Sequence, residues 1–150
     1  GNAAKAAAPP KAPPPRHLLD NHISKAAETA ELKAKLSRFE RAIDLEPCTC
    51  TSLRMLPTED ALRIISEPFF DEKEATRARA TQRIQDALDG PEAQERWQRF
   101  ESSCTLDPKI LVMLYKLPRE MAVDIVSQPP LPDRQAQAKS ATDRIRNAAL

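Results

Sequence analysis

The side chains able to do covalent or metal chemistry are few: Cys48, Cys50 and Cys104, with His17 and His22. Cys48-Thr49-Cys50 is the nearest thing to a metal motif. A tetrahedral zinc site needs four converging ligands, no second cysteine pair stands at ligand spacing, and the two histidines lie about two dozen residues or more away. A disulfide between residues two apart is strained, so free thiols are expected. Only two glycines occur, none in a phosphate loop, and no histidine is placed to orient a nucleophile. The many carboxylates stand beside Lys and Arg on helix faces, where solvation and pairing account for them. The chain therefore reads as non-enzymatic, with no catalytic residue, metal ligand, cofactor or small-molecule substrate.

Two sets of residues suit binding. The first is basic: Arg77, Arg79 and Arg83, then Lys139, Arg144 and Arg146, clustered along two helices as phosphate contacts require. Carboxylates are interleaved and aromatics for base stacking are scarce. The second is apolar. Residues 110–115 read Ile-Leu-Val-Met-Leu-Tyr, where the related segment 49–54 reads Thr-Cys-Thr-Ser-Leu-Arg. Leu111 and Leu114 belong to a shared core pattern, so Ile110, Val112, Met113 and Tyr115 need another surface to cover them. That cover is either the other half of the chain or a protein partner.

The elements that place these residues come in pairs. Setting 36–89 over 97–150 without a gap gives 19 identities in 54 positions, among them Leu56-Pro57 over Leu117-Pro118 and Arg83 over Arg144. Duplication explains this better than chance. Each Leu-Pro is a corner between two amphipathic helices, with proline expected at the first helical position, where its missing N–H is no loss. Leu32, Leu36, Phe39 and Ile43 make one helical stripe over about 18–46, matched by Ala93, Trp97, Phe100 and Cys104. Asp107 and Asp133 are expected helix caps, and Asp71 with Glu74 a capping box. The expected fold is all-α: two tandem four-helix units, 18–89 and 90–150, behind a disordered Pro/Ala-rich linker, 1–17.

Composition agrees: 41% hydrophobic, 4% aromatic and 30% charged residues favour short helices over sheet. A net charge of +1 gives no global pull toward nucleic acid or an anionic membrane, so any such binding needs a local patch. Three cysteines, no secretory signal and no long apolar run point to an intracellular protein, cytoplasmic or nuclear, and the abrupt low-complexity start leads to the expectation of a piece of a larger chain.

The segments LDPKILVMLYKLPREMAVDIVSQ at 106–128 and ATDRIRNAAL at 141–150 resemble small helical repeat modules of large protist proteins that also carry RNA-binding domains. The pattern is departed from at PPLPDRQAQ, 129–137. This resemblance implies association with RNA-processing assemblies. Leu117-Pro118, with Met121, Ile125 and Val126 following, is also similar to the short ubiquitin-binding motif of two helices joined by Leu-Pro. The expected function is a non-catalytic interaction module, for protein recognition or scaffolding, with direct RNA binding, ubiquitin binding and self-association as further expectations.

Overall fold

The computed structural model describes residues 16–150, with side chains from residue 27 onward. The expected linker up to residue 15 and the histidine side chains lie outside the described residues. Among those described, the chain forms eight helices and no strand: α1 (Arg16–Ala42), α2 (Pro47–Met55), α3 (Thr58–Ile65), α4 (Lys73–Asp89), α5 (Pro91–Ser103), α6 (Pro108–Lys116), α7 (Arg119–Val126) and α8 (Arg134–Ala149). The all-α expectation holds. Arg16 and His17, expected in the linker, begin α1. Packing divides the chain into two compact units, Gly1–Ser37 and Arg38–Leu150. The first unit carries an exposed Glu31–Lys35 pair one turn apart.

α1 ends at Ala42, four residues before the expected point, because the backbone reverses there. Asp44 takes φ +50°, Leu45 N–H bonds Glu40 C=O at 3.0 Å, and Asp44 N–H bonds Arg41 C=O at 3.4 Å. This is a Schellman ending with aspartate in the place glycine usually takes. Both Leu-Pro corners have one geometry. Leu56 and Leu117 are extended, as residues before proline must be, and each donates its N–H to the leucine three back at 3.2 Å. Pro57 and Pro118 are N-caps rather than first helical residues, so α3 and α7 start one position later than expected. Their ψ angles of 146° and 143° keep the prolines extended, while their carbonyls accept from Ala61 and Ala122 at 3.0 Å.

The loops before α4 and α8 are held in matching ways by unlike residues. Thr76 Oγ1 accepts from Phe70 N–H and Gln137 Oε1 from Leu131 N–H, both at 2.9 Å. The Asp71–Glu74 capping box does not form: Glu72 is the N-cap of α4, without a side-chain bond. Asp107 and Asp133 do cap, accepting from Lys109 and Ala136. Between α4 and α5 stands one residue, Gly90, which caps both helices at φ +118°, a conformation open to glycine and costly to other residues.

The 61-residue offset read from the sequence also relates the starts and ends of α2 and α6, of α3 and α7, and the starts of α4 and α8. Leu53, Ala61, Ile64 and Ile84 are buried, as are Leu114, Ala122, Ile125 and Ile145 at the corresponding positions. Full burial of one such leucine or isoleucine is worth about 1.5–3 kcal/mol before entropy is counted. α4 is the shared wall. It packs against α2 and α3 of its own half and against α5 and α6 of the next.

Candidate interaction surfaces

α6 is apolar nearly all round because α4 covers the side that α2 leaves to solvent. Ile110 and Tyr115 are buried, whereas Val112 and Met113 are half-buried. The Tyr115 ring stacks on Trp97 at 5.2 Å and tilts against Phe70 at 5.9 Å. Its hydroxyl donates to Glu101. Of the four residues expected to meet a partner, Ile110 and Tyr115 are therefore corrected to core residues. The contrast of Tyr115 with Arg54 marked an internal face: Arg54, at the matching place, reaches Glu40 with two bonds of 3.1 and 2.8 Å at a more exposed site.

The basic side of α4 is spent inside the protein. Arg77 donates to the Ile43 and Asp44 carbonyls at 3.4 and 3.5 Å, closing the end of α1. Arg79 is buried, bonded to the Pro68 carbonyl, with its guanidinium 4.3 Å from the Phe70 ring centre. Arg83 donates to Glu67 at 3.1 Å, to Glu101 at 2.8 Å and to Tyr115 Oη at 2.8 Å. Burial alone would favour its neutral form, but the Glu101 and Glu67 carboxylates outweigh that and hold the guanidinium charged. Burial likewise keeps the Tyr115 phenol protonated. These three arginines are thus corrected from phosphate contacts to packing and pairing residues.

A second joint was missed in the sequence. Arg119, at the start of α7, reaches back to α4, donating to Gln82 Oε1 at 3.0 Å, Asp86 at 2.8 Å and Asp89 at 2.7 Å. Its counterpart is Thr58, so comparing the halves pointed away from it.

α8 differs. Lys139, Arg144 and Arg146 are exposed, with no carboxylate within ion-pair distance among the described residues. They are what remains of the six basic candidates at the surface. An open hollow on α8 is lined by Lys139, Asp143 and Arg144, and two clefts open elsewhere. One, of about 200 Å³, lies between α3, α4 and α5, over Ile64, Arg83 and Trp97. The other, of about 220 Å³, sits at the α5–α6 corner and is lined by Phe100, Cys104, Leu106 and Leu111, with Glu101 and Thr105.

Leu117 is buried while Pro118 is exposed, so the leucine a ubiquitin-binding corner would present faces inward. Cys48 is exposed, Cys50 half-buried and Cys104 buried, all as free thiols. Burial, then the nearby Glu40 carboxylate, pushes the Cys50 thiol up and keeps it protonated. Among the described residues no three His, Cys, Asp or Glu converge as a metal site, and no helix is long and apolar enough to cross a membrane. No protein-family model, curated protein or solved structure matches the chain.

Proposed function

We propose that the chain is a non-catalytic helical recognition module that binds a protein partner within an RNA-processing assembly. The α5–α6 corner groove carries the reading: its floor is Phe100, Cys104, Leu106 and Leu111, and its polar rim is Glu101 and Thr105. An apolar floor with a polar rim suits one apolar side chain of a partner. Val112 and Met113 add half-exposed apolar surface to the same helix. The resemblance of 106–128 to modules of RNA-binding-type proteins supports the RNA-processing setting. The test is a pull-down from cell extract with and without ribonuclease, using the chain and a variant altered on the groove's exposed rim, Thr105→Arg. Capture that survives ribonuclease and high salt but is lost in the variant supports the reading. Capture that needs intact RNA counts against it.

Direct RNA binding is the second reading, favoured by the uncompensated charges of Lys139, Arg144 and Arg146 on α8. It requires affinity that falls steeply with salt and is reduced by Arg144→Glu.

A further inference from the structure

The α3–α4 side of the first half is closed by one face of α5. Gln94 Nε2 donates to Asp60 at 3.4 Å, Trp97 lines the cleft beside Ile64, and Glu101 receives the Arg83 guanidinium at 2.8 Å. The three covering residues stand at i, i+3 and i+7, so one helix presents them together. Sixty-one positions on, α7 and α8 carry the corresponding surface: Met121 for Asp60, Ile125 for Ile64 and Arg144 for Arg83. Here α8 packs on α5, α6 and α7, while Arg144 stays exposed and Met121 is 46% exposed. Lys139 and Arg146 add positive charge to the same helix, against Asp143.

We propose that the α7–α8 face docks an amphipathic helix of a partner protein carrying an apolar, an aromatic and an acidic residue at i, i+3 and i+7. The apolar residue covers Met121, because methionine replaces the aspartate that Gln94 bonds. The aromatic residue lies between Met121 and Arg144, on the outer side of α7, since Ile125 itself is already buried. The acid pairs with Arg144 as Glu101 pairs with Arg83, and the surplus of positive charge on α8 favours an acidic partner. A second copy does not fit: its α1 carries Leu36 and Glu40 at the matching positions, but Leu36 is buried and Glu40 is held by Arg54. The proposal shares the protein-recognition reading above but uses a different surface.

The probe is a synthetic peptide with the sequence of residues 91–103 carrying Gln94→Leu, titrated into the 150-residue chain and followed by backbone amide shifts. Saturable shifts confined to α7 and α8 are expected, weakened about tenfold or more by Arg144→Glu in the chain. Changing Glu101→Arg in the peptide should restore binding to that variant. Absence of saturation at millimolar peptide, shifts elsewhere, or equal affinity for the Arg144→Glu chain overturns the proposal. So does displacement of bound peptide by poly(U), which would make the face a phosphate site. A Thr105→Arg chain should bind the peptide normally, which separates failure here from failure of the corner groove.

Discussion

Arg83 and Arg144 hold the same position in their helices, yet Arg83 lies 2.8 Å from Glu101 under a covering helix while Arg144 points into solvent. The side chains are identical; the neighbours supplied by the next half are not. Removing Arg83 leaves Glu67 only the longer 3.8 Å pair with Arg79 and Glu101 only the Tyr115 hydroxyl, and loosens the wall between the halves. Arg83→Ala should cost about 3 kcal/mol of stability, and Arg144→Ala less than about 0.5 kcal/mol. Urea unfolding followed by the emission of Trp97, the single tryptophan, measures both; equal costs would contradict the assignment.

Tyr115→Phe keeps the ring on Trp97 and removes the hydroxyl shared by Arg83 and Glu101. A buried hydrogen bond to charged partners is at stake, so a loss of about 1.5–3 kcal/mol is expected in the same assay. A change within error would mean that the stack alone holds the seam.

Thr76→Val and Gln137→Leu each remove the acceptor of one loop N–H, that of Phe70 or Leu131. Costs of about 1–2 kcal/mol are expected for both, despite their different chemistry. Faster hydrogen exchange at Phe70 and Leu131, one in each variant, locates the effect.

Asp86 makes the pH dependence specific. Burial, opposed chiefly by the Arg119 hydrogen bond, raises its carboxyl above the ordinary 3.8, and its second oxygen is buried without a partner. A raised folded-state value means that this group's contribution is fully present below the unfolded value and is lost as pH rises through the folded one. The wild type should therefore lose stability relative to Asp86→Asn as pH rises from below the ordinary carboxylate range, until Asp86 is ionised in the folded state as well. A pH-independent difference between the two unfolding free energies would refute this.

The corners were legible because Leu-Pro restricts the backbone through sterics that need no neighbours, and Asp107 and Asp133 because capping is local. α3 and α7 start one residue later than Leu-Pro alone implies, since a proline can cap a helix as well as open it. Thr76 and Gln137 escaped notice because one loop N–H can be satisfied by side chains of different type and length. Arg83, Arg119, Ile110 and Tyr115 were misplaced or missed for a different reason: their roles depend on which helix covers α4, and periodicity within one helix does not say.

Gly90 is the whole connection between α4 and α5. A one-residue link has no slack to lend, so the second half cannot swing out on a tether in search of a target. The corner groove and the α8 side both lie beyond that link, so each is displayed at a set orientation to α4.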